Sequence, residues 1–174
     1  MTGQLASLLR ASLDAGPAAL VPLEEEMRTV RDYLEIERVR FGDRLRYSID
    51  LPPGLAAARV PRLSLQTLVE NAVKYAIAPR RTGGSIHVLA EDDGNSLRLS
   101  VTDDGPGFDG GDPPPGHGLT LMRDRLQMIF GERARLVVAA STGGAAVAIE
   151  IDTVGTVAAQ TVRSQAIQAD PRRV

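Results

Sequence analysis

In the stretch VTDDGPGFDGG (101–111), Gly105, Gly107 and Gly110 fall at the spacing G-x-G-x-x-G. Such a run holds a pyrophosphate only when a helix starts inside it and turns its free amides toward the anion. Here Gly110-Gly111-Asp112 leads into Pro113-Pro114-Pro115, and a helix cannot grow through that. The dinucleotide reading fails on context. A phosphate loop of the G-x-x-x-x-G-K-[ST] type is also excluded, because the only lysine, Lys74, lies elsewhere. A calcium loop would need a glutamate at its end position and has none. What remains is a constellation of three segments, LQTLVENAVKY (65–75), DDGPG (103–107) and GHGL (116–119). On a helix, Glu70, Asn71 and Lys74 fall together by i, i+3, i+4 geometry, opposite Leu65, Leu68 and Ala72. That face gathers a carboxylate, an amide and the chain's sole ammonium.

The elements that must position these groups follow from periodicity. Leu5, Leu8, Leu9 and Leu13 predict a helix over 4–13, which DAGPAALVP then breaks. From Pro22 a second helix is predicted, with Glu24, Glu25 and Glu26 in its first turn, where the dipole favours acids. Met27, Val30 and Leu34 form its stripe, and it should end near Phe41-Gly42. Leu45, Tyr47, Ile49 and Leu51 alternate as a strand does. Residues 62–77 carry Leu65, Leu68, Val69, Ala72, Val73 and Ala76 at helical spacing. Ile86/Val88/Ala90 and Leu97/Leu99/Val101 flank DDGN as a hairpin. Leu119, Met122, Leu126 and Ile129 mark a third core-facing helix that Gly131 should stop. Leu136–Ala140 and Val147–Ile151, split by STGG, predict a second hairpin. Residues 153–174 are polar, without a dependable period, and are expected to form a disordered tail. Helices mixed with mostly antiparallel strands predict a two-layer α+β sandwich, its sheet covered by helices on one face.

Composition narrows the classes. The chain has 174 residues, of which 43% are hydrophobic, enough for a sizeable core. Aromatics at 3% argue against stacking platforms for single-stranded nucleic acid, and a formal charge of −2 removes the electrostatic case for DNA. With no cysteine there is no disulfide, zinc–thiolate site or thiol nucleophile. No apolar run reaches the ~20 residues of a membrane span, so a cytosolic location is expected.

Together the segments LVENAVKY, DDGPG and GHGL resemble the N, D-x-G-x-G and G-x-G-L boxes of ATP-binding domains in the gyrase, Hsp90, histidine kinase and MutL superfamily. The nearest likeness is to sensor histidine kinases of the LytS type. VPLEEEMRTVRDYLEIERVRFGDRL (21–45) is similar to the segment preceding their ATP domain, and the resemblance covers roughly residues 5–152. It implies a Bergerat-type ATP-binding fold that takes ATP and Mg2+. By that resemblance Asp103 accepts a hydrogen bond from the adenine exocyclic amine, since a carboxylate is acceptor-only and separates an amino from an oxo purine. Asp104 is read as solvent-facing. Gly105 and Gly107 let the backbone approach the base. Asn71 is the protein ligand to Mg2+, and Lys74 meets phosphate oxygens or pairs with Glu70. Glu70 is the candidate base. Gly116, Gly118 and Leu119 open a helix whose free amides meet phosphate, while 108–117 forms a lid. Arg123 and Arg125 are read equally as surface charges or phosphate contacts. His87 and His117 are read as surface residues.

The resemblance has gaps. Such kinases carry an acceptor histidine on an upstream helix, and residues 1–40 contain none. The chain is therefore expected to begin after that histidine, with 1–20 a remnant of a dimerisation helix. Residues 21–42 would be a linking helix, 43–152 the ATPase domain and 153–174 the tail. A family Asn is replaced by Leu121, and a Gly-Thr by Gly144-Ala145, which removes a hydroxyl and implies weaker ATP binding. The implied partners are a histidine-bearing segment or chain, a response regulator and a second copy in a homodimer. Any membrane attachment would come through upstream segments. The alternatives are a partner-switching serine kinase or anti-sigma factor of the same fold, and a non-catalytic nucleotide-binding dimerisation module.

Overall fold

The computed structural model describes residues 20–107, 118–141 and 143–153. The helix expected over 4–13 and the tail beyond Thr153 lie outside the described residues. A short strand, β1 (Leu20–Pro22), turns directly into α1 (Leu23–Phe41). Leu23, Met27, Val30 and Leu34 recur at helical spacing and bury one stripe of α1 in the core. Gly42, at φ +58°, ends the helix where expected and returns its N–H to the Arg38 carbonyl.

The next strand is β2 (Leu45–Asp50), and β3 (Arg59–Pro61) pairs back antiparallel on β1. Neither β1 nor β3 has a sequence signal. α2 (Ser64–Ala72) carries the LVENAVKY segment, and Val73–Ile77 continue it as a wider π turn, closed by the Ala78 N–H on the Val73 carbonyl at 2.9 Å. β4 (Gly84–Asp92) and β5 (Ser96–Asp103) form the first hairpin. Its turn is built by Asp92 and Asp93, whose carboxylates accept the amides of Gly94, Asn95 and Ser96. α3 (Gly118–Phe130) follows, then the hairpin of β6 (Ala134–Ser141) and β7 (Gly144–Asp152).

The main sheet has the order β2-β4-β5-β7-β6, with β2 parallel to β4 and every other pair antiparallel. α1 lies on β2, α2 on β4 and β5, and α3 on β6. The helix-covered side of the sheet buries Ile86, Val88 and Ala90, then Leu97, Leu99 and Val101, then Val147, Ile149 and Ile151. Those residues and the helix stripes form one core cluster, which is the expected two-layer sandwich. On the other side, Arg98 and Arg135 both bond the Glu150 carboxylate, and Ser48 meets His87 Nδ1 at 2.6 Å. No helix among the described residues is long and apolar enough to cross a membrane.

Candidate functional site

Alternation along β5 decides where the DDGPG segment begins. Leu97, Leu99 and Val101 face the helices, so Asp103 is the next inward position. Register puts it in a row between Ile86 of β4 and Ala145 of β7. A carboxylate thus ends an otherwise apolar face, directly under the C-terminal part of α2. Asn71 and Asp103 line a single cleft with about 370 Å³ between its walls, part of it open to solvent. Leu68, Ala72 and Ala76 of the α2 segment form its apolar helix side, and Val101 and Val147 its sheet side. Apolar walls on two sides with one carboxylate at the end suit the chemistry of a flat ring with a polar edge.

Asp103 Oδ1 accepts the Gly105 N–H at 2.9 Å. Burial pushes its carboxyl above the usual range, and the amides of Gly105 and Ala145 and the Arg80 charge only partly offset that. The glycines have reasons inside the chain as well as at the cleft. A Cβ on Gly105 would stand 2.5 Å from the Ala76 Cβ and 2.8 Å from its Cα. Gly107 has φ +77° and lines the cleft itself. Asp104, read from sequence as solvent-facing, is exposed yet engaged. Its carboxylate accepts the Ser85 N–H at 2.9 Å and pairs with Arg80 at 3.0 Å. Burial opposes ionisation of Asp104, but those two partners outweigh it and its pKa falls below the usual range. The same Arg80 Nη1 reaches the Asp104 carbonyl at 2.7 Å, tying the exit of α2 to the turn that follows Asp103.

On α2 the polar residues divide. Asn71 faces the cleft and donates Nδ2 to the Thr67 carbonyl at 3.1 Å. That bond uses the NH2 end and leaves Oδ1, a hard oxygen, as the amide's free acceptor among the described hydrogen bonds. Gly118 stands alongside without a side chain, and a Cβ there would come within 2.9 Å of Thr67 Cγ2 and 4.0 Å of Asn71 Nδ2. The donor chemistry therefore suits Mg2+, which accepts one protein oxygen and completes its shell with phosphates and water. No cluster of three or more His, Cys, Asp or Glu among the described residues could hold a metal unaided. Glu70 is half-buried and accepts the Gln66 amide at 2.8 Å; it is not among the residues that line the cleft, and its charge acts on Tyr33 of α1. Lys74 lies in the π turn, 4.9 Å from the Tyr75 ring centroid, so its described contact is with that ring and not with Glu70.

Gly118 opens α3, whereas the Leu119 side chain is buried in the core and anchors the helix there. Arg125 donates to the Arg62 carbonyl at 2.5 Å, a contact within the fold. Gly116, His117 and the expected lid at 108–117 lie outside the described residues. Reasoning from sequence passed over Tyr75 and Ala145, both cleft-lining, and Arg80. Tyr75 stood inside a quoted segment, and position 145 was noted only for a lost hydroxyl. Nothing in the sequence marked Arg80.

A family model described as histidine kinase-, DNA gyrase B- and HSP90-like ATPase matches residues 58–155. The chain belongs to this ATPase family. A second model, described as histidine kinase, matches residues 1–45 of this ATPase-family chain. Among curated relatives, the sensor histidine kinase YesM of Bacillus subtilis is 35% identical over 136 residues, covering 76% of this chain and 23% of that protein. The sensor protein LytS of Enterococcus faecalis is 27% identical over 161 residues, covering 85% and 27%. The chain thus spans about a quarter of the length of these relatives. The catalytic domain of histidine kinase ThkA superposes with a TM-score of 0.61 at 19% identity, covering 77% of this chain and 94% of that one. The shared ATPase fold is evident from that structure.

Proposed function

We propose that this chain is the ATP-binding catalytic part of a sensor histidine kinase of the LytS type. The observation that carries the reading is the single cleft walled by both Asn71 and Asp103. The match of residues 1–45 to a histidine kinase model supports a histidine acceptor over the serine-kinase alternative.

In this reading the apolar walls of the cleft sandwich the purine. Asp103 accepts from the adenine amine, and the amide of Gly105 holds the carboxylate in place. Asn71 Oδ1 is the protein ligand to Mg2+, which when bound would neutralise charge between neighbouring phosphates. Lys74 swings from the Tyr75 ring to meet phosphate oxygens as a mobile charge. The α3 amides that begin at Gly118 face the phosphates, with Gly116 and the lid closing over them. A histidine supplied from outside the described residues attacks the γ-phosphorus; the bond to ADP breaks as the P–N bond forms, and Glu70 takes the imidazole proton. A response-regulator aspartate then receives the phosphoryl group. Residues 1–20 contribute to a dimer, 21–42 link it to the ATPase domain at 43–152, and the whole acts in the cytosol.

Titration calorimetry with ATP and Mg2+ tests the binding step. Asp103→Asn should weaken ATP binding by about 10- to 150-fold, the range for a hydrogen bond to a charged group. No heat with wild-type chain, or an unchanged affinity in the variant, rejects the reading. Incubation with labelled ATP and a histidine-bearing fragment tests transfer, because phosphohistidine is lost in acid and phosphoserine is retained.

A further inference from the structure

Glu26 has no place in the cleft, yet it is one of the least accessible side chains, at 2% exposure. It sits in the first turn of α1 but bonds to a different helix. Its Oε1 accepts the Leu63 N–H at 2.5 Å and its Oε2 the Leu65 N–H at 3.1 Å. One carboxylate from the upstream helix therefore satisfies amides at the start of α2, where a helix cannot satisfy its own. Leu63 is held at φ +61°, a left-handed conformation that a leucine seldom adopts and that its neighbours must enforce. α3 reaches the same knot, since Arg125 donates to the Arg62 carbonyl and its charge acts on Glu26.

From Leu63 a continuous set of bonds runs to the cleft. The Leu63 carbonyl accepts both the Thr67 N–H at 3.2 Å and the Thr67 hydroxyl at 2.7 Å. The Thr67 carbonyl holds Asn71 Nδ2, and Thr67 Cγ2 is the atom that a side chain on Gly118 would strike. We infer that Glu26 is a positioning residue for the metal-binding amide: by gripping the start of α2 it sets, through Leu63 and Thr67, where Asn71 Oδ1 points. The upstream helix is thereby coupled to the Mg·ATP site. This rests on the reading of Asn71 as the cation ligand.

The test compares ATP binding with Mg2+ and with EDTA, by calorimetry on the full 174-residue chain and on Glu26→Gln. The wild-type chain binds ATP more tightly with Mg2+. The variant keeps its EDTA affinity within about twofold and loses roughly tenfold of the Mg2+-dependent gain, the low end of what ligand-orienting groups contribute. Equal weakening in both conditions marks a merely structural role and overturns the inference, as does an unchanged Mg2+ gain. If the wild-type chain binds ATP with no Mg2+ gain, the Asn71 reading falls and this inference falls with it. Should the variant fail to fold, hydrogen exchange on the wild-type chain decides. By reciprocity of coupling, the Leu63 and Leu65 amides slow more with Mg·ATP than with ATP in EDTA; equal slowing overturns the proposal.

Discussion

Asp103 occupies a position that the strand pattern reserves for an apolar side chain, and this sets its chemistry. Burial raises its pKa, so in the folded chain without nucleotide Asp103 takes up its proton at a higher pH than an ordinary aspartate does. The sign for stability follows by linkage: the group's favourable contribution is complete below the ordinary aspartate range and is lost as pH rises through the raised value. Binding runs the other way, because a protonated carboxyl is no longer acceptor-only. Acidification should therefore weaken ATP binding starting above the ordinary aspartate range. In the same pH window the stability advantage of Asp103→Asn over wild type should shrink. Calorimetry and thermal melts of both proteins across pH 4–8 check the two trends; parallel trends would contradict this account of the carboxylate. Asp103 and Asn71 were legible as a pair because their roles demand distinct residue types in quoted segments. Glu26 was not. Three consecutive glutamates in a first turn are alike to the helix dipole, and only the approach of α2 selects the one that is buried.

At the level of elements, the close contact between the DDGPG turn and the π turn gives a sharp prediction. Gly105→Ala would drive a Cβ into Ala76, including its backbone Cα, so the strand end and helix cannot both stay in place. Overpacking of this kind costs typically ~1–3 kcal/mol. The expected outcome is a lower melting temperature together with weaker ATP binding, since Asp103 moves with the turn. A variant that melts and binds like wild type would show that the contact yields freely. The described helices and the five strands of the main sheet were legible from periodicity, since each buries one face. The π turn was not, because Val73, Ala76 and Ile77 present the same apolar spacing whether the backbone bonds close on the fourth or the fifth residue. Without that distinction, Lys74 reads as sharing one helix face with Glu70 and Asn71, whereas its described contact is the Tyr75 ring. The pairing of β1 with β3 escaped for another reason: three residues are too few to alternate.

Across the whole molecule, α1 is an integral part of the core and not an appendage to it. Leu23, Met27, Val30 and Leu34 are essentially inaccessible and belong to the same cluster as the sheet residues. Each such side chain is worth roughly 1.5–3 kcal/mol of burial. Domains have only about 5–15 kcal/mol of net stability to lose. A polypeptide of residues 58–155, the span of the ATPase family match, should therefore fail to give a cooperative melt, while residues 20–155 should give one. Circular dichroism on both decides, and a cooperative transition in the shorter piece would show that β4 to β7, α2 and α3 suffice without α1 and β2. The carboxylate that α1 lends to α2 has a further consequence for inheritance. A recombination event that joins the front of one such protein to the back of another would preserve both recognisable halves yet separate Glu26 from the amides it was fitted to. Successful chimaeras should be those whose crossover falls before residue 20.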